Sequence, residues 1–267
     1  MSYVKKLVYV GAPIQTGQEL HGPERAPDAL REAGLLDRIK NNIGCEVQDL
    51  GNSPLITGEK DPKEKQKAMH AREVSLSCGK LAEIVTKAAE KQEDFVLTVG
   101  GDHSIAMGSI TGILASRPDT CVIWVDAHGD INTPMTSDSG HIHGMPVAAL
   151  LGEFTKEDMD AEGLAWLEPR LDPKRIAYIG LRDIDQGEKE IIKRLGIATY
   201  TMHEVDKYGM DSVVRMALDK INPDRVRPIH VSFDVDGLDP EQAPSTGTKV
   251  LGGLTFREAR YMLEEIV

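Results

Sequence analysis

Three apolar runs in this chain end the same way, in aspartate and histidine. Leu97-Thr-Val99 leads into Gly100-Gly-Asp-His-Ser104. Val122-Ile-Trp-Val125 leads into Asp126-Ala-His-Gly-Asp130, and Val231-Ser-Phe233 leads into Asp234-Val-Asp-Gly-Leu-Asp-Pro240. Short, continuously apolar runs are the pattern of strands buried on both faces. In an open parallel sheet, ligands gather beyond the carboxyl ends of the strands. The three clusters are therefore expected along one edge of such a sheet, which constrains fold and chemistry together.

The rest of the chain fits that frame. Strand-like runs recur at 7–10, 46–50, 95–99, 121–125, 175–179, 199–202 and 229–233. Helical patterns lie between them, over 27–39, 63–91, 104–116, 187–195, 212–221 and 255–267. The alternation of strand and helix predicts an α/β fold, a three-layer α/β/α arrangement around a mostly parallel sheet. The 267 residues, 40% of them hydrophobic, suit one large α/β domain over 1–267 or two small domains. Polar stretches at 52–62, 133–144 and 238–253 read as loops, and the last two are long enough to suggest function.

Composition excludes several function classes. The net charge of -12 argues against a nucleic-acid partner, because phosphates repel an acidic surface. Cys45, Cys78 and Cys121 are few, odd in number and far apart, so free thiols are expected rather than a disulfide framework. The apolar run at 7–10 is broken by Gly11 and Pro13, so it reads as a first strand and not a signal peptide. No stretch approaches the ~20 apolar residues of a membrane helix. A cytoplasmic location without membrane contact is the expectation.

The clusters themselves point to metal. In an extended segment alternate residues share a face, so Asp126, His128 and Asp130 are expected on one side, and Asp234 with Asp236 on another. Adding His103 crowds many like charges into one site, which is unfavourable unless cations neutralise them. Two divalent ions bridged by carboxylates at ~3.5–4 Å use so many ligands; one does not. Carboxylates with some imidazole and no thiolate suit manganese, magnesium or iron. A lone Asp-x-Asp commonly caps a loop, and a lone histidine is commonly structural, but three clusters at three strand ends argue jointly for metal. Asp102 and Asp239 are expected behind the ligands or in turns, while His21, His70, His203 and His230 lack such a context.

The three motifs together resemble the signatures of the ureohydrolase superfamily, which includes arginase, agmatinase and formiminoglutamase. The resemblance runs from about Val8 to the end of the chain. It implies a site of two Mn²⁺ ions per subunit: His103 and Asp130 on one ion, His128 and Asp236 on the other, and Asp126 and Asp234 bridging. It implies hydrolysis of a guanidinium group by activated water, with Asp130 passing a proton to the leaving amine. The loop at 131–144 is similar to that of arginases. Asn132 and Ser139 match residues that hold the substrate α-carboxylate, and His143 matches a histidine that shuttles protons. Ser137 and His141 depart from the threonine and asparagine expected there. Gly180-Leu-Arg-Asp-Ile-Asp-Gln-Gly-Glu188 also resembles arginases, with Asp185 and Glu188 at the positions that receive the α-ammonium.

These matches make L-arginine the expected substrate, with L-ornithine and urea as products and a homo-oligomer, a trimer or hexamer, as the assembly. Agmatinase or another guanidino-compound hydrolase is the alternative, since agmatine has no α-carboxylate for Asn132 and Ser139 to hold. The resemblance also implies a further C-terminal strand and helix, carrying a glutamate that pairs with the guanidinium. No residue of this sequence takes that place. A metal-binding but catalytically impaired member, with reduced turnover, is therefore an expectation of a different class.

Overall fold

Alternation along the first strand decides how the N-terminal part packs. In the computed structural model, residues 5–57, 67–168 and 170–266 are described. Positions 58–62 of the expected loop and 63–66 of the expected helix lie outside them. The chain divides into two units, Met1–Pro118 with Thr133–Arg170, and Asp119–Asn132 with Leu171–Val267.

In the first unit, β1 (Lys6–Ala12), β2 (Glu46–Asn52) and β3 (Asp94–Gly100) form a wholly parallel sheet in the order β2-β1-β3. Leu7 and Tyr9 pack with Leu35, Leu36 and Ile39 of α2 (Leu35–Ile43). Val10 and Ala12, on the alternate register, pack with Leu81 and Val85 of α3 (Ala71–Ala88) and with Ile113 of α4 (Ile105–Ser116). Helices thus cover both faces of this sheet, as period-two alternation of apolar residues requires. The helical pattern over 27–39 is two helices, α1 (Ala26–Glu32) and α2, separated at Ala33 and Gly34. Two six-residue helices that the sequence pattern does not show, α5 (Pro146–Leu151) and α6 (Lys156–Ala161), also belong to this unit.

In the second unit, β4 (Cys121–Val125), β5 (Ile176–Leu181), β6 (Ala198–Thr201) and β7 (Ile229–Phe233) form another wholly parallel sheet, ordered β6-β5-β4-β7. α7 (Gln186–Leu195) joins β5 to β6. Cys121, Ile123, Val125, Ala177 and Ile179 face Val213, Val214 and Ala217 of α8 (Met202–Ile221) and Met262 of α9 (Phe256–Ile266). The helix expected from 212 starts ten residues earlier. Thr201 and Glu204 form a reciprocal capping box, so Met202 opens the helix instead of closing the strand. The helix then bends at Gly209 and continues.

Cys45, Cys78 and Cys121 are free and buried. The Cys78 Sγ–H donates to the Ser104 carbonyl at 3.3 Å; burial pushes the Cys78 thiol well above its usual range and raises the Cys121 thiol as well. Among the described residues, no helix is long and apolar enough to cross a membrane.

Candidate metal centre

Both acidic motifs of the second unit fold into turns made by their own side chains. Asp126 Oδ1 accepts the N–H of His128 at 2.7 Å, so the chain bends as soon as β4 ends. Ala127 then accepts the N–H groups of Arg182 and Asp183 at 2.9 and 3.0 Å. Asp130 takes a left-handed conformation, with φ 50°. Asp234 Oδ1 accepts the N–H of Asp236 at 2.9 Å and caps the single 3-10 turn Val235–Gly237. The expectation of extended segments with alternate residues aligned is therefore corrected. Turns, not pleats, present these carboxylates, because a short acidic side chain satisfies the backbone two residues on.

The turns nonetheless bring three predicted ligands together. His128 Nδ1 lies 3.1 Å from Asp236 Oδ2 and 3.5 Å from Asp126 Oδ1. One ligand atom from each of Asp126, His128 and Asp236 falls within 4.8 Å of the other two. Asp126 and Asp236 are each 1% exposed, so two carboxylates share one imidazole almost out of water. Burial opposes the charge on His128, but hydrogen bonds to Asp126 and Asp236 overcome it and push the imidazole up to about 11. Burial likewise opposes ionisation of Asp236, and the hydrogen bond and charge of His128 outweigh it, holding that carboxyl well below its usual range. A buried pair of anions around one nitrogen is a donor set that fits a divalent cation, which needs deprotonated ligands and offsets the surplus charge.

The remaining oxygens are held by groups that the sequence pattern does not single out. The Trp124 indole N–H donates to Asp126 Oδ2 at 3.0 Å, and the Thr248 hydroxyl donates to Asp236 Oδ2 at 2.8 Å. Ala127 N–H donates to Asp236 Oδ1 at 3.2 Å. Arg182 donates to the carbonyls of Asp236 at 2.6 Å and Val250 at 2.8 Å, tying the Asp236 turn to the loop that carries Thr248. Such outer contacts fix the orientation of metal ligands. Trp124 was open to discovery: a buried indole needs an acceptor, and it stands two residues before Asp126. Thr248 has no local signal, because its partner lies 12 positions away.

The other predicted residues are placed as follows. Asp130 is buried but is not part of the Asp126–His128–Asp236 group. Asn132 Nδ2 donates to Asp185 Oδ2 at 2.7 Å, joining a predicted carboxylate contact to a predicted ammonium contact. Glu188 is 4% exposed, and its carboxylate accepts the N–H groups of Ile131 at 3.2 Å and Asp185 at 3.0 Å. It closes a capping box at the start of α7 and binds the 126–132 turn to that helix.

In the first unit, His103 is buried immediately before α4, between Asp102 and Ser104. Asp102 accepts the N–H of Gly17 at 2.8 Å and the N–H of Ser104 at 3.0 Å, and also the Ser104 hydroxyl. Ser139 Oγ accepts the N–H of His141 at 3.2 Å and lies 3.4 Å from Ser137 Oγ. His143 donates its backbone N–H to the Gly17 carbonyl at 3.2 Å, and its ring centroid is 5.7 Å from that of His141. His141 Nε2 is 3.7 Å from Glu19.

The chain is similar to known proteins along nearly its whole length. The profile of the family described as Arginase family matches residues 5–267. The mouse protein named Arginase-2, mitochondrial is 44% identical over 263 residues, spanning 98% of this chain and 74% of that protein. The solved arginase of Bacillus caldovelox superposes with a TM-score of 0.87 at 38% identity, covering 97% of this chain and 85% of that one. The Entamoeba histolytica arginase solved in complex with L-ornithine does so with a TM-score of 0.84 at 30% identity, covering 98% and 86%. With a family match over residues 5–267, a relative 44% identical over 98% of the chain and α/β structures that superpose along nearly all of it, the chain belongs to the arginase family.

Proposed function

We propose that this chain hydrolyses the guanidinium group of L-arginine to L-ornithine and urea. The proposed centre holds two manganese ions on His103, Asp126, His128, Asp130, Asp234 and Asp236. The observation that carries the reading is the convergence of the buried Asp126 and Asp236 carboxylates on His128 in a member of the arginase family. When bound, the ions supply Lewis acidity that lets a water lose its proton near neutral pH.

The chain's own residues do the rest. Asp130 accepts a hydrogen bond from the attacking water and passes a proton to the leaving amine as the carbon–nitrogen bond breaks, which leaves L-ornithine and urea. Asn132 and Ser139 hold the α-carboxylate. Asp185 receives the α-ammonium, a reading supported by the hydrogen bond it accepts from Asn132. Glu188 receives the α-ammonium together with Asp185, whose backbone N–H its carboxylate also accepts. His143 exchanges protons with the bulk, a task suited to an imidazole. Three or six copies form the assembly, checked by sedimentation equilibrium, and the protein works in the cytoplasm, checked by fractionation.

Urea release from L-arginine and from agmatine, each with Mn²⁺ or with chelator, tests the reading. Manganese-dependent urea from L-arginine alone is expected. Urea from agmatine at a comparable rate would mean that Asn132 and Ser139 do not select a carboxylate, and no urea from either would sink the reading.

A further inference from the structure

The loop that carries Ser139 holds the N–H groups of Gly140 and His141 on its own Ser137 and Ser139 hydroxyls, at 3.0 and 3.2 Å, but leaves the Gly140 carbonyl to another segment. Residues 67–69 run beside it. Met69 donates its N–H to the Gly140 carbonyl at 2.8 Å and pairs with His141 in an isolated parallel bridge. A Cβ on Gly140 would stand 3.3 Å from the Lys67 carbonyl, so the two backbones are in close contact. The two preceding N–H groups of this strap turn onto a single carboxylate. Lys67 N–H donates to Glu162 Oε1 at 2.8 Å, and Ala68 N–H donates to Glu162 Oε2 at 3.3 Å.

Glu162 follows the last residue of α6 and is wholly buried. A dry carboxylate is costly, and burial pushes this one above its usual range. The helix does not need it: α6 is capped at its start by Thr155, whose hydroxyl accepts the N–H of Asp158. Both Glu162 oxygens go instead to successive backbone donors, which fixes the path of the strap. Lys67 adds a second tie, with Nζ 2.8 Å from Asp158 Oδ1 and 3.0 Å from Met135 Sδ in the same loop. His143 lies in the turn that follows His141 and has an additional anchor, its N–H to the Gly17 carbonyl.

We propose that Glu162 is a positioning residue for recognition of the amino-acid end of the substrate: its carboxylate sets the strap 67–69, the strap sets Gly140 and His141, and these set the Ser139 hydroxyl. The inference rests on the reading above that Ser139 holds the α-carboxylate. Glu162 reaches the Ser139 hydroxyl through backbone contacts, while His143 keeps a bond to Gly17 that the strap does not make, so the expected effect is on substrate affinity and not on the chemical step.

Glu162→Gln keeps the shape but offers one acceptor to two donors. In the manganese-loaded full chain it is expected to raise KM for L-arginine about tenfold while kcat stays within about twofold. Inhibition by L-ornithine weakens in step, and inhibition by agmatine, which has no α-carboxylate, stays unchanged. Met69→Pro deletes the donor to Gly140 without touching buried Glu162, and gives the same signature; it decides the matter if Glu162→Gln does not fold. Ser139→Ala is measured alongside. If Ser139→Ala raises KM while the strap variants do not, the inference is overturned and the reading of Ser139 stands. If Ser139→Ala leaves KM unchanged, that reading falls and takes the inference with it. A loss of kcat at constant KM in the strap variants also overturns it.

Discussion

At Asp102 burial and charge conflict. Burial drives its carboxyl up to about 6, against the hydrogen bonds of Ser104 and Gly17. The folded value lies above the unfolded one, so the folded chain binds the proton more tightly, and stability falls as pH rises from about 4 to about 6. Asp102→Asn removes that dependence and also leaves a donor short of an acceptor. Its cost, about 1–3 kcal/mol, is therefore expected to shrink between pH 4 and pH 7 in paired urea melts. A cost that grows over this window would contradict the burial account. At this scale the sequence was legible where chemistry sits at the end of an apolar run: Asp126, His128 and Asp236 needed only their neighbours to be noticed. Thr248, Arg182 and Glu162 did not stand out, because each acts on a partner far along the chain.

At the scale of elements, strands were easier to read than helices. The runs 121–125 and 229–233 coincide with β4 and β7: β4, buried on both faces, is written as consecutive apolar residues, and β7, partly buried, as apolar residues alternating with His230 and Ser232. α5 and α6 span six residues each, too few for a helical period to emerge. α8 was read short because Gly209 interrupts its pattern. There φ is 76° and ψ 156°, a conformation that only glycine adopts without strain. Gly209→Ala is expected to cost about 1–3 kcal/mol in chemical denaturation, as the helix must either bear the strain or repack. Stabilisation by alanine, the usual result inside a helix, would show that the bend is not required by the packing around α8.

For the whole molecule, the acidic turns couple metal uptake to protons. His128, held protonated up to about 11 by its two carboxylates, must lose that proton before it can ligate. The ion pair stabilises the metal-free chain fully below the ordinary imidazole value and is lost only as pH rises through about 11. Manganese binding is thus expected to tighten about tenfold per pH unit between about 7 and 9, with proton release visible by calorimetry in buffers of different ionisation enthalpy. A pH-independent affinity would remove His128 from the ligand set.

The three buried thiols turn the same molecule into its own stopwatch. A coloured disulfide reagent reaches Cys78 or Cys121 only while the surrounding structure is open, because both side chains are closed to solvent and burial keeps their thiols protonated. Cys78 belongs to the first unit and Cys121 to the second. The two labelling rates, resolved by peptide mapping, would report the opening free energy of each unit in an unaltered chain. Equal slow rates would mean that the units open together; a faster rate at one thiol would show which of them yields first.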